Sequence, residues 1–490
     1  MRRLAVLLLA VAWGCSSVDV GGLAESFGAG DIEGVREQLR DLAQQDEADA
    51  HLWLMNRAVV DLASGDPPAG IGALRRARDR LDELRSRSYP GWIEAMLSDD
   101  RALVYEGADY EHVLVRAYLA LLDLACRQGD VIAYLNQMLQ RQVDLREGFV
   151  TDDGQKPKLA EKSAAIGNWL LAAVEADDPT RRDVVARQLA TVLEHEPACR
   201  LARVEAERFR REGLCRPGHG VVQVVAMVGL GPYRVARDEP VSSLVLDIAH
   251  RVYNARRDRV AIPLNAVSQV QIAGLVLRSD NPEAAWVEVG AVRQTTEVIT
   301  SVDRLAQAEF DAMRTQMVVR AVVRRIFKLA SAELGKSLTE RKASPQQTPP
   351  AATQGDKRVV RKPETAAEKK KREEEERRQR KKEQQNQVNS FLWDALAWIW
   401  VALEDADTRC WALLPASFQA ARLELPEGEH EVSVRAAVGG AAVGAEQRVR
   451  VRVRAGHTTF VVAQVPSRQG GPPPVTSDPA GVGVRSSDDP

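Results

Sequence analysis

The stretch CRPGHGVVQVVAMVGLGPYRV, Cys215–Val235, decides the fold. Pro217 and Gly218 break whatever helix precedes them. The valine-dominated run Val221–Val228 then reads as a buried strand. Ahead of this point the chain is rich in Ala, Leu and Arg with helical spacing. Beyond it come further strand-like runs, RVAIPLNAVSQVQIAGLVL and AWVEVGAVRQTTEVI. The expected class is α+β: an N-terminal α-helical, tetratricopeptide-like region, a middle α/β module with a long helix, and a small C-terminal antiparallel β module.

Working towards the N-terminus, three phrases punctuate the helical half: AGDIEGVREQL, SGDPPAGIGAL and QGDVIAYLNQM. In each, a glycine ends one helix in a left-handed conformation and an aspartate caps the next. Gly30 and Gly65 are 35 residues apart, and Gly65 and Gly129 are 64 apart. Tetratricopeptide hairpins repeat at about 34 residues, so these distances fit one unit and then two. A plain helical bundle is the other reading.

Working towards the C-terminus, DRLAQAEFDAMRTQMVVRAVVRRIFKLASAELGKSLTER is a long helix. Met317, Val318, Ala321, Val322 and Ile326 form its apolar stripe, flanked by Arg320, Arg324, Arg325 and Lys328. Such a stripe is either core or, with its basic flank, a membrane-surface helix. Next comes EKKKREEEERRQRKKE, Glu368–Glu383, a solvated charged spacer with no apolar seam. FLWDALAWIWVAL, Phe391–Leu403, is too short to span a bilayer and reads as a buried helix. QRVRVRVRAG alternates strictly, with Val449, Val451 and Val453 on one face of a strand and arginines on the other. The expected division is 1–14 signal peptide, 15–23 tether, 24–213 helical domain, 214–340 α/β module and 341–387 disordered linker. Residues 388–466 then form the apolar helix with the β module, and 467–490 a disordered tail.

With 67 Lys+Arg against 69 Asp+Glu, net charge −2, nothing global favours nucleic acid. The opening MRRLAVLLLAVAWGC has a basic start and an apolar stretch too short for a membrane anchor, so it reads as an export signal. Gly14-Cys15-Ser16 resembles the lipobox of bacterial lipoproteins, departing from it at Ala12 and Trp13. That resemblance implies lipidation of Cys15, a membrane attachment through the N-terminal lipid and, with Ser16 following, the outer membrane at its periplasmic face. Of the other cysteines, Cys199 and Cys215 are either a disulfide or free thiols.

Chemistry-bearing letters concentrate in EDADTRCWALLPASFQAARLELPEGEH, Glu404–His430. Cys410 with His430 as base would make an envelope hydrolase. Against this, Cys410 stands beside Trp411 and before Leu413-Leu414-Pro415. The segment reads better as a structural joint in which Asp407 and Arg409 satisfy each other or backbone and Trp411 fills the core. Gly229-Leu230-Gly231-Pro232 follows a strand, but Arg234 stands where a dinucleotide fingerprint needs its third glycine, so it reads as a turn. In YEGADYEH, Asp109 reads as a helix N-cap. Tyr105 is expected to pack under it; the alternative makes Tyr105, Glu106, Asp109 and Glu111 candidates for an interaction surface, and no metal-ligand spacing surrounds His112.

Three of these segments together resemble one bacterial family: poorly characterised envelope lipoproteins with helical repeats at the front. They are DDRALVYEGADYEHVLVRAYLALLDL (99–124), VVAMVGLGPYRV (224–235) and ADTRCWALLPASFQAARLELPEGEH (406–430). The resemblance implies an envelope location, an envelope protein as partner, and no established reaction, hence no catalytic residue, metal or cofactor to carry over. The expected function is a non-enzymatic scaffold whose concave helical face binds a protein or peptide. A peptidoglycan- or polysaccharide-binding β module is a further alternative.

Overall fold

The computed structural model describes residues 20–86, 104–148, 163–243, 245–246, 268–343 and 406–477. Cys15, the charged run 368–383 and the apolar segment 391–403 lie outside them.

The protein is an α+β fold in three layers. The first is helical: α1 (Val20–Gly28), α2 (Ile32–Gln45), α3 (Ala50–Ala63), α4 (Pro67–Ser86), α5 (Asp109–Cys126), α6 (Val131–Gly148), α7 (Ile166–Glu175), α8 (Arg182–His195) and α9 (Arg200–Glu212). Each packs on its neighbours in sequence, as stacked hairpins do. Gly30 and Gly65 have positive φ just past the ends of α1 and α3, where a Cβ would strain the backbone; Gly129 has it too, but α5 ends earlier, capped by Arg127, which itself takes the left-handed conformation with φ 57°. Asp31 then caps α2, accepting from the Gly34 N–H at 3.1 Å. Asp66 accepts from Ala69 N–H in the same way, at 3.3 Å. Asp130 differs: its carboxylate pairs with Arg75 instead, at 2.8 Å.

Strands follow: β1 (His219–Val228), β2 (Tyr233–Pro240), β3 (Gln269–Val276), β4 (Ala284–Val289), β5 (Val292–Thr295) and β6 (Glu297–Ser301). The 42-residue α10 (Val302–Ala343) leads on to β7 (Ser417–Pro426), β8 (Gly428–Val438), β9 (Ala441–Val453), β10 (Thr458–Val465) and β11 (Val475–Thr476). A five-stranded sheet has the order β11-β10-β1-β7-β6 and a four-stranded sheet the order β5-β4-β8-β9. β2 and β3 form a separate ribbon.

This arrangement corrects the expected division into modules 214–340 and 388–466. β1, from the first, is hydrogen-bonded along its length to β7 and β10, from the second. The C-terminal strands pair with one another antiparallel, β8 with β9 and β10 with β11, as expected; the parallel pairing is that of β1 with β10. A valine run needs apolar cover on both faces, and these neighbours place β1 inside the molecule. Val225 and Met227 meet the helices, whereas Val222, Val224, Ala226 and Val228 meet the four-stranded sheet. Val451 and Val453 of β9 point into the same interior, with Arg450 and Arg452 exposed on the other side.

The tail expectation is also corrected up to residue 477. Ser467 Oγ donates to the Gly28 carbonyl at 2.8 Å, and Val475–Thr476 pairs with β10. On α10, Val318, Ala321, Val322 and Ile326 pack against Val270 and Ile272 of β3, so this stripe is core. Arg324 of the basic flank is buried as well, while Arg320 is exposed. Cys199 and Cys215 are free thiols: Cys199 Sγ accepts from Ala202 N–H, and the Cys215 thiol donates to the His219 carbonyl. Among the described residues no helix is long and apolar enough to cross a membrane.

The face of the helical layer expected to receive a partner is already filled. α3, α5 and α7 are buried almost throughout, and one continuous core runs from them into Val225, Phe418, Phe460 and Val462 of the five-stranded sheet. The concave-face expectation is therefore corrected, because the chain's own sheet occupies it. α2, α4, α6, α8 and α9 keep one face in solvent.

Candidate functional site

The three phrases set apart in the sequence meet in one place, where the helical layer joins the sheets. Residues 406–416 run as irregular chain into β7. Irregular backbone inside a protein needs partners for its polar groups, and side chains of the helical layer supply several. The Trp411 N–H donates to Glu111 at 3.0 Å, and the Leu413 N–H donates to Asn56 at 3.0 Å. Leu414 uses its carbonyl, which accepts from the Gly231 N–H at 2.6 Å. A Cβ at Gly231 would lie 2.9 Å from that same carbonyl oxygen, so the close approach requires glycine. Gly229, with φ +70°, turns the chain out of β1, and Asn281 bonds both the N–H and the carbonyl of Leu230. Pro232 is buried, and β2 rather than a helix follows it.

Asp407 and Arg409 hold one another. The Asp407 carboxylate accepts from the Arg409 N–H, from Nε at 2.8 Å and from Nη2 at 2.9 Å. Arg409 Nη1 forms an ion pair with buried Asp49 of the helical layer. Asp49 also accepts from the Tyr105 N–H at 2.7 Å, and His51 Nε2 donates to the Tyr105 carbonyl at 2.6 Å. Burial lowers the His51 pKa, so the ring is neutral. Burial also opposes the Arg409 charge, but the two aspartates raise its pKa overall.

Glu111 is the centre of the arrangement and is fully buried. Its carboxylate accepts from the Tyr105 hydroxyl at 2.5 Å, the Ala108 N–H at 3.1 Å and the Trp411 N–H at 3.0 Å. Trp411 is 1 % exposed, with its ring centroid 5.4 Å from that of Tyr118.

These positions change two expectations. Tyr105 and Glu111 are inside the protein and bond their own chain, so they do not form an interaction surface; Glu106 is exposed and Asp109 half-buried. Asp109 is not the N-cap of α5 but its first residue, and its carboxylate pairs with Arg85 at 2.7 Å. The Asp109 and Tyr110 N–H groups donate instead to Glu309 of α10, at 2.9 and 3.2 Å. Burial, reinforced by Asp109, pushes the Glu309 carboxyl up to about 7. Glu309, Asp49, His51 and Asn56 carry no signal of this role in the sequence around them.

Cys410 is 2 % exposed, and burial pushes its thiol up to about 11. The thiol is therefore protonated at neutral pH and a poor nucleophile. His430 sits on β8 with its imidazole on the Pro426 carbonyl at 2.8 Å. Among the described residues no hydrogen bond joins Cys410 to His430.

Family models, curated proteins and solved structures were each compared with the chain, and none matches.

The site's carboxylates already accept several donors each, its histidine is held neutral and its thiol is protonated. Such a set fastens chain segments together. Other links do the same along the layer boundary. Asp177 accepts from the Thr458 N–H and hydroxyl, Glu297 from the Leu201 N–H, and Gln464 donates to the Val59 carbonyl. Among the described residues no group of histidines, cysteines and carboxylates has the arrangement of a metal site.

Proposed function

We propose that this chain is an exported, lipid-anchored protein of the bacterial cell envelope, a non-enzymatic scaffold that works by contact with an envelope protein. The carrying observation is the use of Asp407, Arg409, Cys410 and Trp411. Three are engaged in fastening the helical layer to the sheets, and the fourth is a buried, protonated thiol. The reading takes neither nucleic acid nor a small-molecule cofactor.

Anchorage follows from the lipobox-like Gly14-Cys15. Four residues, Ser16 to Asp19, separate Cys15 from α1, so Val20 is five residue steps away, and Leu23, Ala24 and Phe27 of α1 are buried in the core. At about 3.5 Å per residue such a tether reaches about 17 Å, which keeps the folded body next to the bilayer. Two or more acyl chains give firm attachment, at about 0.8 kcal/mol per buried methylene. Partner contact falls to the outer helices α2, α4 and α6, because the inner face carries the sheet.

Metabolic labelling with an alkynyl palmitate tests this reading. The full-length protein is expected to carry the label and to fractionate with outer membranes, and Cys15→Ser to lose both properties. An unlabelled wild-type chain in the soluble fraction would contradict it.

A further inference from the structure

Helices α4 and α6 both lie against α5, and polar side chains bridge the seam between them. Arg75 Nε donates to the Tyr134 hydroxyl at 2.6 Å, and Arg78 Nη1 donates to Gln137 at 3.1 Å. One end of this seam holds two arginines on a single carboxylate. Arg116 of α5 donates from Nη2 to Asp82 of α4 at 2.6 Å and from Nη1 to the His112 carbonyl at 2.6 Å. Arg141 of α6 stands beside the same carboxylate, its Nη2 3.4 Å from the other Asp82 oxygen, with no hydrogen bond between them. What Arg141 Nη2 bonds instead is a neutral ring. His112 Nε2 donates to the Glu106 carbonyl at 2.8 Å, which leaves Nδ1 as the acceptor for Arg141 at 3.1 Å. Burial, reinforced by Arg141, lowers the His112 pKa to about 3, so the imidazole brings no charge of its own.

Arg141 is short of acceptors. Its Nε is buried without a partner, and among the described residues no acceptor is bonded to Nη1. Its side chain is 15 % exposed and that of Arg116 7 %, so water does little to offset the two charges. Burial holds the Arg141 pKa below the usual guanidinium range, with Arg116 and Arg85 acting the same way and Asp82 opposing them. The other acids close by are occupied: Asp109 pairs with Arg85 at 2.7 Å, and Asp144 accepts from Gln140 at 2.9 Å. The group opens to solvent at Asp82 and Arg85, whose side chains are 38 % and 36 % exposed.

A guanidinium with unmet donors beside a half-exposed carboxylate matches a second carboxylate, which its planar fork grips with two hydrogen bonds. One added negative charge balances the two arginines over Asp82, whereas a doubly charged phosphate would be repelled by Asp82 and Asp109. We propose that Arg141, with Arg116 behind it, anchors an acidic side chain of a protein partner lying in the α4–α6 seam. This deepens the scaffold reading, on which it rests, by naming the partner's chemistry and the helices it meets.

The test is fluorescence anisotropy with the full-length chain and a fluorescein-labelled, blocked peptide of alternating glutamate and glycine, with glutamine replacing glutamate in the control. The glutamyl peptide is expected to bind saturably and the control at least about tenfold more weakly. Arg141→Gln is expected to weaken binding about tenfold, and Arg141→Lys less. Asp82→Asn removes the internal competitor and is expected to tighten binding several-fold, which a purely structural cluster would not do. Should Arg141→Gln fail to fold, Arg85→Gln serves in its place and is expected to weaken binding several-fold. Equal binding of the two peptides, unchanged binding by the arginine variant or weaker binding by Asp82→Asn would overturn the proposal. So would displacement of the probe by acetate as effective, per carboxylate, as by unlabelled glutamyl peptide, which would assign the site to free acids. Failure of peptide binding with palmitate labelling intact would refute this site and leave the anchored scaffold standing.

Discussion

Replacing Trp411 by alanine is expected to cost about 4 kcal/mol of stability, in the upper range for a buried aromatic. The side chain is 1 % exposed and packs on Tyr118, which also meets Phe418 edge-on at 6.0 Å. These three rings lie between α5 and β7, so the cavity would open at the seam between layers rather than at a margin. A domain of this kind has only about 5–15 kcal/mol to lose. The Trp411 indole N–H has no hydrogen-bond partner among the described residues. Trp411→Phe keeps much of the ring and removes that unsatisfied donor, so its loss is expected to be smaller, about 1–2 kcal/mol. Urea unfolding followed by circular dichroism separates the two variants. Equal midpoints for Trp411→Ala and wild type would show that the ring does not hold the seam.

Glu111→Ala is expected to be of similar size. Removing the carboxylate leaves the Trp411 N–H, the Ala108 N–H and the Tyr105 hydroxyl without their acceptor, all inside the protein. Each buried donor left unsatisfied costs about 1–3 kcal/mol, and partial relaxation puts the expected total near 3–5 kcal/mol. Tyr105→Phe removes only one of the three bonds and is expected to cost about 1 kcal/mol. The comparison matters because a tyrosine-to-phenylalanine change also tests whether the hydroxyl is structural. A Glu111→Ala variant within 1 kcal/mol of wild type would mean that water replaces the carboxylate at no loss, and that the site is more open than its burial indicates.

Local signals in the sequence were readable where they depend on neighbours along the chain. The Gly-Asp phrases mark turns because positive φ at Gly30 and Gly65 is a property of those residues. The valine run of β1 reads as doubly buried because its pattern carries no polar alternation. The β9 alternation gives its wet face for the corresponding reason. What was not readable is pairing across distance. β1 takes its two neighbours from segments about 200 residues further on, and periodicity carries no record of which strand lies beside which.

The same limit applies at the joint. Asp407-Thr408-Arg409 reads as a self-satisfying pair, which it is, but the third member, Asp49, lies 360 residues away. An acidic residue inside α5 looks like a surface position until its burial against Trp411 is known. Glu309 caps a helix 200 residues earlier, replacing the local Asp109 that short-range capping rules favour. The concave face of a helical repeat is an expected docking surface only when the rest of the chain leaves it open. Here α3, α5 and α7 have hydrophobic side chains nearly all round, and such helices call for cover on both sides.

Native-state hydrogen exchange tests the coupling of the layers most directly, because it reads opening free energies segment by segment. The amides of α3 and α5 and those of β1, β7 and β10 are expected to exchange at one free energy, with one dependence on added denaturant. Exchange of the helical amides at a distinctly lower free energy, while the strands stay protected, would contradict a joint that makes the helices and sheets a single cooperative body.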